Sequence, residues 1–253
     1  MKTVLDVRDI GKRYPGFTLE HVSFALAPHR IMGLIGKNGA GKSTTFKAIL
    51  NMVKPDSGSV TLFQKDFSRH EKECKERIGV VFGGVDFYPL KKLSAITAVT
   101  RTFYADWDQE RYQKYIRRFA LDERKKYKEL SSGMKVKYLL ALALSHHAEL
   151  LILDEPTSGL DPVSREELLQ IFRQIVKNET CSILFSTHIT SDLDKCADDI
   201  TYIQNGRVLQ SADKETFLQS FAHLKTPQDA GPLTLEEIML RTERSEWDDD
   251  AAL

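Results

Sequence analysis

The 253-residue sequence predicts an α/β fold with a mixed sheet, an N-terminal antiparallel β subdomain and an inserted helical subdomain. Three observations predict it. "IMGLIG", residues 31–36, is a continuous apolar run of the kind a strand buried on both faces requires, and it enters a glycine-rich turn and then the helical stretch "STTFKAILNMV". From Leu93 to His147 the apolar spacing is helical with no strand candidate, while short strands alternate with helices before and after it. "DITYIQNGRVLQ" carries Asn-Gly between two apolar runs, the strongest short hairpin signal.

In chain order, "VLDVRDI" puts Leu5 and Val7 on one face and "VSFAL" groups Val22, Phe24 and Leu26, which reads as an antiparallel edge sheet. The buried strand and its helix follow. After the turn "KPDSG" come the strands "SVTLF" and "IGVVF". The helical segments "SAITAVTRTFYADW" and "QERYQKYIRRFAL" belong to a lobe inserted at about 84–148. The α/β pattern resumes with "ELLIL", a helix from Ser164 whose Glu167 completes a capping box, "CSILFS" and a helix from about Thr190. One core sheet is therefore expected from strands on both sides of the lobe. Residues 1–221 form this domain, and 222–253, with Pro227, Pro232 and "EWDDD", form a partly disordered tail in which "TLEEIML" makes one or two helical turns.

Lys plus Arg and Asp plus Glu number 36 each, so bulk charge argues for neither a nucleic-acid footprint nor a polybasic membrane face. Cys74, Cys181 and Cys196 are isolated, which suits a reducing compartment and argues against a disulfide frame or a zinc site. The N-terminus "MKTVLDVRDI" has no apolar signal core, and the most apolar region, "YLLALALSHHAELLIL", is broken by His146, His147 and Glu149. A cytoplasmic chain that spans no bilayer is expected.

"GKNGAGKS" fits G-x-x-x-x-G-K-[ST], a match that chance produces in about one chain in a hundred of this length. It follows a buried strand and opens a helix, as a phosphate loop must. The glycines let backbone N–H groups curl around phosphate oxygens, Lys42 reaches the β and γ phosphates, and Ser43 can ligate magnesium. "LLILDEP" ends a buried strand in two adjacent carboxylates, whose side chains diverge. Asp154 suits magnesium, directly or through water, and Glu155 suits orientation of an attacking water. His188 in "STH" follows another strand, on the edge where ligands of open α/β sheets collect, although a lone histidine is more often structural. Ser131, Ser132 and Gly133 open a helix and would suit an anion, but on local grounds a plain serine N-cap is the better reading. His146 and His147 have no partner pattern and read as structural.

The order of the pieces says more than any one of them. "GKNGAGKST", "LSSGM", "LLILDEPTSGLDP" and "STH" in succession resemble the ATP-binding subunit of a bacterial ABC transporter of the export type, over about residues 2–221. The resemblance implies an ABC ATPase fold on a P-loop NTPase core. Gly36, Lys37, Asn38, Gly39, Ala40, Gly41, Lys42, Ser43 and Thr44 become the phosphate loop, with Tyr14 stacking on adenine. Ser131, Ser132, Gly133 and Met134 become the signature, which in this family meets the γ-phosphate held by a second subunit. Asp154 and Glu155 become the magnesium and general-base pair, Ser158 to Asp161 the D-loop, and His188 the H-loop switch. Lys42, Glu155 and His188 are the expected catalytic residues, and Ser43 and Asp154 the expected magnesium ligands.

Two departures stand out. The signature has Ser132 in place of the first glycine of L-S-G-G-Q, and Met134 in place of its glutamine. Gly83, followed by Gly84, occupies the Q-loop position where the family carries a glutamine that touches magnesium and the attacking water; water, or Asp86 on a loop freed by two glycines, could take that place. The resemblance implies ATP and Mg2+ as ligands, polytopic membrane subunits and a second ATP-binding subunit as partners, no nucleic acid, and a peripheral place on the inner face of the cell membrane. "LTLEEIML" resembles the terminal helix of export-type subunits. The alternatives are a soluble ABC ATPase of an assembly complex and the catalytically weak half of a heterodimer.

Overall fold

The computed structural model describes residues 2–82, 88–229 and 231–250, without the side chains of residues 244–250. The expected Q-loop position Gly83 and the alternative Asp86 lie outside the described residues. Strands β1 (Leu5–Tyr14) and β2 (Phe17–Leu26) form a hairpin, with Leu5, Val7, Leu19, Val22, Phe24 and Leu26 buried on the alternating face. The alternation slips between Val7 and Ile10, where the register shifts and Asp9 takes a φ of 55°, so that Ile10 still points inward.

The buried strand β3 (Ile31–Ile35) leads to helix α1 (Lys42–Ile49). Then β4 (Ser57–Leu62) and β5 (Lys65–Asp66) complete a four-stranded antiparallel sheet, β2-β1-β4-β5. After α2 (Glu71–Glu76) and β6 (Ile78–Phe82), the helices α3 (Leu93–Thr100), α4 (Gln109–Arg118) and α5 (Ser132–Ser145) make up the lobe. The remaining elements are β7 (Leu150–Asp154), α6 (Pro162–Asn178), β8 (Ser182–Thr187), α7 (Thr190–Cys196), β9 (Asp199–Gln204), β10 (Arg207–Asp213), α8 (Lys214–Ser220) and α9 (Leu235–Asp250).

The second sheet has six strands in the order β10-β9-β3-β8-β7-β6, parallel except for the β9–β10 hairpin. It is built from strands on both sides of the lobe, as the strand–helix pattern predicts. Both faces are apolar because both are covered. Leu151, Leu153, Ile183, Phe185 and Tyr202 face the cluster containing the lobe, α6 and α7, whereas Leu150, Ile152, Leu184 and Ile203 face α1 and the antiparallel sheet. The parallel register aligns Phe82 with Asp154, Asp154 with Ser186, and Ile35 with Thr187, so the carboxyl ends of four strands meet in one row.

The Asn205-Gly206 turn has φ values of 46° and 78°, the two left-handed residues of a tight hairpin. A side chain at Gly206 would come within 1.9 Å of the Thr18 carbonyl, and the Gly206 N–H donates to the Ala40 carbonyl at 3.0 Å. The hairpin thus leans on the loop after β3.

Two expectations need correction. Helix α6 is capped three residues before Ser164, where the Ser164–Glu167 capping box predicts its start. Asp161 is its N-cap, accepting from the Val163 and Ser164 N–H groups at 3.0 Å, and Pro162 at N1 supplies a pre-set φ, so Ser164 lies inside the first turn and caps nothing. "TLEEIML" opens not one or two turns but the 16 residues of α9. A capping box starts it, since Thr234 Oγ1 accepts from the Glu237 N–H and Glu237 Oε2 from the Thr234 N–H, and Leu235 and Ile238 are buried in the larger core cluster. Arg241 then ties the helix to Asp229 with two contacts of 2.6 Å.

His146, after α5, is buried with its ring stacked on Tyr104 at 3.7 Å, and its Nδ1–H donates to the Glu76 carbonyl at 3.1 Å. Burial lowers its pKa from 6.5 to about 4. The folded chain therefore refuses a proton that the unfolded chain binds below about 6.5, so stability falls as the pH drops from there to about 4. The loss attributable to this histidine is on the order of 2 to 3 kcal/mol. It is measured as the difference between wild type and His146→Gln in urea midpoints across that pH range, with the acid limb shallower in the variant.

Candidate functional site

The site starts where β3 ends. Gly41, at a φ of 112°, precedes α1 as an N-cap without a side chain, so the first N–H groups of the helix face the loop at residues 36–41. A Cβ there would strike Leu19 Cδ2 at 2.7 Å and Phe17 Cζ at 2.9 Å, because β2 packs across the loop. Only glycine satisfies both the backbone and the contact. Lys42 follows, 5% exposed. Its ammonium donates to the Gly36 carbonyl at 2.7 Å and the Lys37 carbonyl at 3.1 Å. Burial lowers its pKa, and the charges of Glu155 and then Asp154 pull the other way. Lys37, Asn38, Gly39 and Ser43 are exposed along the loop and Thr44 is half-buried.

Strand β7 delivers the carboxylates. Asp154 is its buried last residue, and Glu155 follows with a φ of 48°, a left-handed conformation that costs a non-glycine residue energy. Glu155 Oε1 stands 3.5 Å from Lys42 Nζ, and Oε2 stands 3.0 Å from His188 Nδ1. Lys42, Glu155 and His188 therefore form one chain of contacts across the row of strand ends. The Ser186 hydroxyl donates to Asp154 Oδ1 at 2.6 Å and accepts from the Glu155 N–H at 2.9 Å.

Tyr14 ends β1, opposite Phe17 in the hairpin, and Phe17 is the residue that packs on Gly41. The Tyr14 ring is partly exposed, with the Lys12 ammonium 5.8 Å from its centroid. The Ser131 hydroxyl caps α5, accepting from the Met134 N–H at 3.3 Å, with Ser132 and Gly133 in the first turn. Gly133 sits beside the start of α6. A Cβ on Gly133 would lie 3.7 Å from Leu160 and 3.8 Å from Ser164, and Lys137 pairs with Glu167 at 2.7 Å. Asp161 lies in the same place and is engaged in capping α6.

Three features escaped sequence reasoning. Ser186 was visible only as a neighbour of His188, since the parallel register that sets it against Asp154 has no local signature. The Thr157 hydroxyl donates to the buried Asp192 at 2.6 Å, tying the turn after Glu155 to α7, and burial raises the pKa of that carboxyl. Lys37 pairs with Glu243 of α9 at 2.7 Å, and the Tyr202 hydroxyl donates to the same carboxylate at 3.2 Å, so the terminal helix reaches the glycine-rich loop.

The donor set suits a hard cation. Ser43 and Asp154 offer oxygens, and among the described residues no three His, Cys, Asp or Glu side chains gather into a cage. Magnesium is commonly held in this way, through one or two protein oxygens, phosphates and water.

The family described as ABC transporter matches residues 19–158. The bacitracin transport ATP-binding protein BcrA of Bacillus licheniformis is 30% identical over 228 residues, which are 89% of this chain and 72% of that protein. The Nod factor export ATP-binding protein I of Burkholderia thailandensis is 30% identical over 223 residues, 85% of this chain and 73% of that one. A solved structure of an ATP-binding subunit of an ABC transporter superposes with a TM-score of 0.82 at 25% identity, covering 95% of this chain and all of its own.

Proposed function

Because this chain belongs to the ABC transporter family, we propose that it is the ATP-binding and ATP-hydrolysing motor subunit of an exporter, whose nucleotide-driven pairing moves separate membrane subunits. The observation that carries this reading is the contact chain Lys42–Glu155–His188 at the carboxyl ends of the parallel strands, 3.5 and 3.0 Å long, beside a glycine-rich helix start. The chemistry is attack of water on the γ-phosphate, with catalysis supplied by positioning and charge. Lys42 exchanges its two carbonyl acceptors for phosphate oxygens. Glu155 orients the water and draws its proton, and His188 holds the far carboxylate oxygen so that the near one faces the nucleotide. Ser43 and Asp154 would hold magnesium, which when bound neutralises phosphate charge. The exposed ring of Tyr14 offers a platform for adenine.

Ser131 to Met134 act in trans, on the γ-phosphate bound by a second ATP-binding subunit, either another copy of this chain or a homologue. The coupling surface lies between the large sheet and the lobe. An apolar groove of about 430 Å³ opens there, lined among others by Met52, Val80, Phe82, Tyr104, Leu139 and His146, and it abuts Phe82, the residue before Gly83. No helix among the described residues is long and apolar enough to cross a membrane. On this reading, separate membrane subunits carry out translocation. The names of the Nod factor export and bacitracin transport relatives support an exporter, and we place this subunit at the inner face of the membrane.

Affinity purification from detergent-extracted membranes tests the reading. Co-purification of a polytopic membrane protein, with ATPase activity in the complex, is the expected result. Recovery only in a purely soluble assembly would contradict it.

A further inference from the structure

Ser186 is fully buried at the carboxyl end of β8, directly opposite Asp154 in the parallel register. A hydroxyl has one proton and two lone pairs, and this one is used in both senses. Its proton goes to Asp154 Oδ1 at 2.6 Å, and a lone pair accepts the Glu155 N–H at 2.9 Å. The first contact leaves Asp154 with one oxygen engaged and the other to present. The second engages an N–H at the residue where the β7–β8 pairing has stopped and the backbone turns left-handed, φ 48°. That turn directs the Glu155 side chain to Lys42 on one side and His188 on the other. One buried oxygen thus sits behind both carboxylates of the site.

We infer that Ser186 is a positioning residue for the ATPase: its hydroxyl sets the orientation of the Asp154 carboxylate toward magnesium and pins the bend that aims Glu155. The inference rests on the ATPase reading above. Groups standing behind a metal ligand typically change metal affinity or activity 10- to 100-fold when removed. A hydroxyl that only satisfies a strand end would leave magnesium dependence untouched.

The test compares Ser186→Thr with Ser186→Val. The two add nearly the same volume to the buried position, so a packing penalty is common to both, and only threonine keeps the hydroxyl. A fluorescent ATP analogue is titrated at increasing magnesium, and again in EDTA. The magnesium midpoint for tightened nucleotide binding should rise about 10- to 100-fold in Ser186→Val relative to Ser186→Thr, with equal affinities in EDTA, and kcat should fall more than KM changes. Equal midpoints in the two variants would overturn the role of Ser186 alone. A wild type whose nucleotide affinity ignores magnesium would overturn the ATPase reading, and this inference with it.

Discussion

Lys42→Met weakens ATP binding by about 10- to 100-fold. The ammonium is 5% exposed and already makes two hydrogen bonds to loop carbonyls, so its head is held in the loop before nucleotide arrives. Burial depresses its pKa, but the neighbouring carboxylates of Glu155 and Asp154 favour the charged form. A phosphate replaces two neutral acceptors by an anion. Hydrogen bonds to charged groups contribute roughly 1.5 to 3 kcal/mol, and each 1.4 kcal/mol is tenfold in affinity. Methionine keeps the apolar stem and removes only the head. Titration with a fluorescent ATP analogue at fixed magnesium measures the effect, and affinity within threefold of wild type would count against Lys42 as a phosphate ligand.

Two inert variants restore activity when mixed. Gly133→Asp places a carboxylate in the first turn of α5, where a Cβ meets Leu160 and Ser164 only at ordinary contact distances, so the helix start accommodates it. The carboxylate would repel a phosphate presented there. If Ser131 to Met134 act on nucleotide bound by the other subunit, a dimer of Lys42→Met with Gly133→Asp has one site with both defects and one with neither. With random pairing of two copies, about a quarter of the wild-type sites are intact. Phosphate release by the mixture, reconstituted with the membrane partner, should approach that fraction while each variant alone stays near background. A mixture as inert as its components contradicts a site shared between two copies.

Much of the fold was legible because its signals are local. "IMGLIG" had to be buried on both faces, and the layers on the two faces of the large sheet do cover Ile31–Ile35. Asn205-Gly206 had to turn a hairpin, and does. Lys42, Glu155 and His188 were named from motifs, although their convergence depends on a strand order no local pattern encodes. What was missed has the same character. α2 carries one buried residue, Cys74, too few to show a periodic face. The start of α6 turned on Asp161-Pro162, which outcompetes Ser164 because the proline is pre-set for the first helical position. Thr234 and Glu237 were a capping box in plain sight, hidden by the prolines and acidic residues around them. The Lys37–Glu243 pair joins residues from opposite ends of the chain.

Glu155 is the group assigned to activate water. Phosphate release from the complex with its membrane partner, wild type against Glu155→Gln, tests this most directly. A positioned general base contributes about 10²- to 10⁴-fold, so the variant should bind ATP as wild type does and release phosphate at least about a hundredfold more slowly. Equal rates in the two proteins, whether both active or both inert, would contradict it.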